Sequence, residues 1–356
     1  MNILYLTNEL NQSDGVSGHL FYLLSELKKN HEINISIICG GGDAVNKFEK
    51  LGVSISLLKE FNHKNRSIKN FLHSVRFVNK FLKLNNIQIL HSHNHYASNI
   101  AYCCSKISHV TTIQTIHGIF PEGGKLKHFK SQYFVTVNDH LKEHLLQKGV
   151  SDTKSIYLIH NGIDFNSNTL KKTSGKKKFI AASRLEKGKR LDVFIEAVSK
   201  LSNEYKSKAE FFIAGMGTLE EDFKKKNTMH NAGVKFLGNV PNLRELLNNT
   251  DIFVIPSEAE GFPITLLEAA ASRNLIISSD FKGIDSILKD NQHGLIFKMN
   301  NSDDLHEKIK FTLENSELSE KLAAEFHNYA KDNFNSELMT DKHLSLYSEI
   351  VNNSDN

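Results

Sequence analysis

Short apolar runs separated by longer amphipathic or polar stretches recur along the whole chain, and they do so in two series. In the first half they fall at residues 3–6, 33–39, 54–58, 87–91, 112–116, 133–137 and 156–159, with helix-period segments at 18–29, 67–83 and 139–148. In the second half they fall at 179–182, 211–214, 234–237, 251–255, 275–278 and 295–297, with helical segments at 191–201, 243–247, 263–271 and 302–312. Strand-length runs alternating with helical ones predict mainly parallel sheets, whose functional residues lie beyond the carboxyl ends of the strands. Between the two series, residues 164–178 (DFNSNTLKKTSGKKK) carry no periodic apolar content and read as a linker. The expectation is an α/β chain of two doubly wound parallel-sheet domains facing a cleft, at residues 1–163 and 179–334, followed by a helix and tail at 335–356.

Size and composition agree. At 356 residues, with 40% hydrophobic and 24% charged residues, the chain can bury a core in each half and is neither disordered nor fibrous. Its net charge of +4 suits anionic ligands or lipid but lacks the basic excess of a dedicated nucleic-acid binder. Cys39, Cys103 and Cys104 are odd in number and two are adjacent, so a disulfide framework is not expected and a reducing compartment is favoured. The first ten residues read as a strand rather than a leader, and no run reaches the ~18 apolar residues of a membrane span. The expected location is cytoplasmic, with room for contact with the inner membrane face.

The residues able to carry chemistry cluster at predicted strand ends. In DIFVIPSEAEGFPITLLEAAA (residues 251–271) a covered strand meets an acidic glycine turn and then a helix start at Pro263. Glu260 lies in the turn and Glu268 on the helix, so two carboxylates can meet one elongated ligand at different points, each able to accept from neighbouring sugar hydroxyls. Gly261 opens the turn, and the amides of Phe262, Ile264 and Thr265 are the usable donors because Pro263 has none. In AASRLEKGKRLDVFIEA (residues 181–197), Arg184 ends a strand and Lys189 opens the next helix, a pair of cations suited to a departing diphosphate. Lys187 and Arg190 read as solvated.

Gly15 and Gly18 bracket a turn before a helix, where bare backbone can approach a phosphate or acceptor. Gly215 and Gly217 lack the third glycine and the acid of a dinucleotide fingerprint, which disfavours a nicotinamide enzyme. His117 ends a strand beside Gly118. His91, His93 and His95 alternate, but no acid or thiol stands in sequence reach to complete a metal site, so none is expected. Asn138 reads as a helix cap, and Asn161, Gly162 and Asp164 (HNGID) as a structural segment.

The ordered set HG, HNGID, SRLEKGK, AGMG, FLGNV and EGFPITLLEA resembles the twin-glutamate pattern of glycosyltransferase family 4, retaining enzymes of the GT-B fold with two Rossmann-like domains. The resemblance implies transfer of a sugar from a nucleotide sugar, a UDP-sugar before a GDP-sugar, to a hydroxyl of a glycan or lipid-linked glycan in bacterial surface polysaccharide synthesis. It implies no cofactor beyond the donor. It assigns Glu260 and His117 to the donor sugar, Arg184 and Lys189 to the pyrophosphate and Glu268 to the ribose, and it implies a last helix that crosses back to the first domain. One departure is SSDFKGIDSI, where Lys282 precedes Gly283 and Ser286 stands near the family's usual acid. Two alternatives remain open: a non-catalytic nucleotide-sugar or glycan binder, and a UDP-sugar epimerase of the same fold. Residues 61–86 are basic, with Phe71, Val75, Val78 and Leu82 at helical spacing, which fits either a helix packed on its sheet or one docked on anionic lipid. The oligomeric state is not legible.

Overall fold

The computed structural model describes residues 1–118, 130–149, 155–165 and 175–354. The chain forms two compact units. One is Met1–Gly162 together with the segment from Ser336 onward, and the other is Ile163–Asn335. Residues 166–174, the middle of the expected linker, lie outside the described residues.

The first unit is built on β1 (Asn2–Leu6), β2 (Asn34–Cys39), β3 (Ser54–Leu57), β4 (Ile89–Ser92), β5 (Thr111–Ile116), β6 (Tyr133–Thr136) and β7 (Ile156–Leu158). These make a seven-stranded sheet in the order β3-β2-β1-β4-β5-β6-β7, parallel throughout. The helices are α1 (Gly15–Leu27), α2 (Val45–Glu49), α3 (Ile68–Leu84), α4 (His95–Ser108) and α5 (Asp139–Gln147).

Alternation along the strands sorts the core into two layers, because successive side chains face opposite sides of a sheet. Ile3 and Tyr5 of β1 pack with Leu20, Leu23, Leu24 and Leu27 of α1. Leu4 and Leu6, between and beyond them, pack with Val75, Val78 and Leu82 of α3 and Ala97, Ile100 and Ala101 of α4. Covering both faces explains why β1 reads as a nearly continuous apolar run.

The second unit repeats the plan with β8 (Lys177–Ala182), β9 (Ala209–Ala214), β10 (Lys235–Gly238), β11 (Ile252–Ile255), β12 (Leu275–Ser279) and β13 (Leu295–Phe297), a six-stranded parallel sheet in the order β10-β9-β8-β11-β12-β13. Its helices are α6 (Leu191–Ser199), α7 (Asn203–Lys208), α8 (Glu220–Met229), α9 (Leu243–Asn248), α10 (Ile264–Ala271), α11 (Ser302–Glu314) and α12 (Ser316–Asn333). The last helix, α13 (Ser336–Ser354), crosses back to the first unit, where Met339, Leu346, Tyr347 and Ile350 join the α1 layer of the core. Among the described residues no helix is long and apolar enough to cross a membrane.

In both sheets the strand order reverses direction at the first strand, between β1 and β4 and between β8 and β11. Loops leaving adjacent strands diverge there, which opens a crevice at the carboxyl ends and makes these the ligand positions of open α/β sheets.

Candidate active site

The two motif loops of the second unit leave neighbouring strands at that point. β8 and β11 pair through Phe179 with Ile252 and Ile180 with Phe253. The loops stay together beyond the strands, where the Glu258 amide donates to the Gly188 carbonyl at 2.9 Å. This backbone tie sets Lys189 Nζ 2.7 Å from Glu260 Oε1, with 20% and 15% of the two side chains exposed.

Arg190 reads as solvated in the sequence, and in the structure it is not. It sits in the left-handed region at φ 47° as the N-cap of α6. Its guanidinium forks onto both Asp192 oxygens at 3.1 Å, reaches Glu258 at 2.6 Å and donates to Asn300 Oδ1. A lysine could not make that pattern, since only a planar guanidinium presents donors in a fixed fork. Bonding to Asp192 raises the Arg190 pKa further above its already high value. Sequence reasoning misses Arg190 because its acidic partner Glu258 lies 68 residues away.

Arg184 is more open: its side chain is 57% exposed and its Nη1 lies 2.9 Å from Glu186. The loop carrying it is braced by glycines. Gly215 adopts φ +128°, and a Cβ there would collide with the Ser183 carbonyl, while one on Gly217 would meet the Leu185 backbone. AGMG thus serves close backbone packing, with Leu185 N–H donating to Met216 O at 2.9 Å.

On the other loop, Gly261 and Phe262 are buried, and the Phe262 ring meets Phe334 edge-on at 5.0 Å between centroids. α10 starts at Ile264, one residue later than expected, because Pro263 takes the N-cap position with ψ 118°. Pro263 supplies no side-chain capping bond, and the Ile264 and Thr265 amides lie in the first turn of α10. A helix N-terminus favours an anion. Glu268 is half-buried one turn further along α10. Ser286 is occupied by its own turn, its hydroxyl donating to Gly283 O at 2.7 Å.

In the first unit, α1 begins at Gly15 rather than 18, so Gly15 and Gly18 both lie in its first turns. Asp14 caps this helix by accepting from Ser17 N at 3.3 Å. A carboxylate in that position opposes a phosphate. The exposed Gly15 has open space beside it, where an added Cβ would meet nothing within 4 Å.

His117, just past β5, is half-buried. Desolvation and the nearby His343 lower its pKa to about 3, so its imidazole is neutral. The alternating histidines part ways: His91 on β4 binds Tyr347 OH through Nδ1 and Thr115 Oγ1 through Nε2, both at 2.8 Å. His93 Nδ1 lies 3.0 Å from His117 Nε2, and His95 starts α4. Asn138 caps α5 by accepting from Leu141 N at 2.8 Å, and Asn161 contacts His19 Nδ1 at 2.8 Å. All three cysteines are free, with burial pushing the Cys104 thiol up to about 12.

These two parallel sheets, each with a switch-point loop cluster, define a GT-B fold. Residues 162–332 match the family described as glycosyl transferases group 1, and residues 13–167 match glycosyltransferase family 4. With both halves matched, the chain belongs to glycosyltransferase family 4. A relative in Campylobacter jejuni, N,N'-diacetylbacillosaminyl-diphospho-undecaprenol alpha-1,3-N-acetylgalactosaminyltransferase, is 34% identical over 150 residues, which span 42% of this chain and 39% of that protein. A second, from Escherichia coli, is UDP-Gal:alpha-D-GlcNAc-diphosphoundecaprenol alpha-1,3-galactosyltransferase, 25% identical over 92% of each chain. Among solved structures, Anabaena HepE in complex with UDP and glucose superposes with a TM-score of 0.82 at 16% identity, covering 98% of this chain and 100% of that one.

Proposed function

We infer that this protein is a retaining glycosyltransferase that moves a sugar from a UDP-sugar to a hydroxyl of a glycan carried on a lipid diphosphate. The observation that carries the reading is the half-buried Lys189–Glu260 pair, fixed by the Glu258–Gly188 backbone bond beside the start of α10. An ammonium has three donors, so Lys189 can hold Glu260 and still meet a diphosphate oxygen as negative charge builds on the leaving group. Glu260 then faces the hydroxyls of the donor sugar and Glu268 those of the ribose. The Ile264 and Thr265 amides meet the diphosphate, with the exposed Arg184 closing on it, and His117 serves the sugar as a neutral hydrogen-bonding group. No general base is assigned; the departing diphosphate takes the acceptor proton on the face where the new bond forms, and the protein positions and stabilises charge.

Acceptor chemistry is supported by the two relatives, whose names specify diphospho-undecaprenol substrates. A cytoplasmic protein resting on the inner face of the membrane follows from that acceptor. The test is a panel of UDP- and GDP-sugars assayed with and without a lipid-diphosphate glycan, with the anomeric configuration of the product read by NMR. Acceptor-dependent release of UDP and a retained configuration support the reading. Inversion overturns the stereochemistry, epimerised free sugar points to an epimerase, and donor binding with no turnover on any acceptor points to a binding protein.

A further inference from the structure

The first unit gathers His19, His91, His93, His117 and His343 around the β1–β4 switch point, and the functional reading uses only His117. His19, on α1, stands edge-on to His117 with ring centroids 4.8 Å apart, and His93 stacks on His117 at 5.3 Å. One nitrogen from each of these three rings lies within 4.8 Å of the other two. His93 Nδ1 and His117 Nε2 lie 3.0 Å apart.

Two features of His19 point to a ligand rather than to core filling alone. His19 is fully buried, and its Nδ1 faces Asn161 Oδ1 at 2.8 Å. An amide oxygen only accepts, so Nδ1 carries the proton and Nε2 presents a bare lone pair, the tautomer an outer oxygen imposes on a metal-bound imidazole. That Nε2 is buried without a hydrogen-bond partner. By contrast, both ring nitrogens of His91 are satisfied by Tyr347 and Thr115. Burial also keeps all three rings neutral, the form that can coordinate.

We propose that His19, His93 and His117 form a site for a divalent first-row transition-metal ion of the Zn²⁺ type, with a fourth position open to water or an anionic ligand. Three imidazoles without a carboxylate select such an ion over Mg²⁺ or Ca²⁺. Zinc–nitrogen bonds of about 2.0–2.1 Å place tetrahedral ligands roughly 3.3 Å apart. Binding therefore spreads the His93–His117 pair slightly, replaces the proton they share and draws His19 inward. A coordinated His117 has no lone pair for a sugar, so metal and donor compete; this last consequence rests on the glycosyltransferase reading.

The test uses the untagged, full-length, chelator-stripped protein titrated with Co²⁺ and followed by visible absorption, then displaced with Zn²⁺. Saturable one-to-one uptake with the strong absorption of tetrahedral cobalt is expected. His19→Gln and His93→Gln abolish it, Asn161→Ala weakens it about 10–100-fold, and His31→Gln, on an exposed surface residue, leaves it unchanged. Imidazole ¹⁵N NMR of the wild type supplies a readout free of folding defects, with the His19 and His93 ring nitrogens shifting on Zn²⁺ addition. Absence of one-to-one uptake by folded wild type, or unchanged ring resonances, overturns the site, as does wild-type uptake by folded His19→Gln and His93→Gln. If metal binds as expected while no donor is turned over, the functional reading fails and the metal site stands. If transfer proceeds and Zn²⁺ binds without inhibiting it, only the competition fails.

Discussion

Lys189 and Glu260 are 71 residues apart in sequence and 2.7 Å apart in space, so each is both a structural partner and a candidate participant in transfer. The two roles separate by substitution. Lys189→Met leaves a half-buried carboxylate unpaired and Glu260→Gln a half-buried ammonium, each costing on the order of 1–3 kcal/mol of stability. Replacing both together restores much of that, because neither charge is then stranded. Turnover behaves differently: each single variant loses at least ~10-fold and the double variant recovers nothing, since the diphosphate still lacks its cation. Chemical melts and saturating-donor rates on the three proteins check this, and a double variant that regains activity along with stability shows the pair to be structural only. Arg190 gives the complementary case. Arg190→Gln removes the fork onto Asp192 and the contact to Glu258, so Lys189 loses its registration and kcat falls about 10-fold with donor affinity nearly kept. Unchanged kcat in a folded Arg190→Gln protein refutes this positioning role. The sequence made Glu260 and Lys189 legible because each sits in a turn with a distinctive local pattern. It hid Arg190 and His19, whose partners Glu258 and Asn161 are brought to them only by the fold.

Among elements, the central strands were the most legible: β1 and β11 are buried on both faces and leave apolar runs that no other element mimics at that length. The helices that escaped notice have weak contrast. α4 (HYASNIAYCCSKIS) is built of small and polar residues, and α12 (SELSEKLAAEFHNYAKDN) is mostly polar although Leu322, Ala323, Phe326 and Ala330 are buried. α3 was legible as a helix but not in its orientation. Its stripe of Val75, Val78 and Leu82, with Phe71 alongside, packs into the core with α4, so that stripe is not available to lipid. What remains outside is a second face with Lys69, Arg76, Lys80 and Lys83 exposed together with Ile68, Leu72 and Leu84, of which Ile68 is 83% exposed. Each lysine or arginine near an anionic bilayer adds about 1 kcal/mol, so four of them with an apolar fringe suffice for reversible docking. Co-sedimentation with anionic vesicles should be strong at low salt and lost at high salt. Lys69→Glu/Arg76→Glu/Lys80→Glu/Lys83→Glu should release the protein while keeping its turnover on a detergent-solubilised acceptor. Binding of that variant at wild-type level excludes α3 as the docking face.

At the scale of the whole molecule, the chain's two series of strands announce two units, but the membership of the last helix is a matter of three-dimensional packing. α13 supplies Met339, Leu346, Tyr347 and Ile350 to the first unit's core, although the 173 residues from Ile163 to Asn335 fold between it and the rest of that unit. The Tyr347 hydroxyl is the polar centre of this contact, 3.0 Å from Tyr5 OH and 2.8 Å from His91 Nδ1. Tyr347→Phe therefore keeps the ring but strands two buried polar groups, at about 1–3 kcal/mol, whereas Tyr347→Ala also opens a cavity and costs about 3–5 kcal/mol or more. Because each unit has its own core, the loss should be confined to the first. Hydrogen exchange of amides in β1, β4 and β5 should accelerate in both variants, more in Tyr347→Ala, while β8, β11 and β12 exchange as in the wild type. Nucleotide affinity should stay within about twofold, since every residue assigned to the nucleotide lies in the second unit. Uniform acceleration across both sheets would mean that the two units unfold as one, and it would remove the argument that the second binds nucleotide as a self-sufficient body.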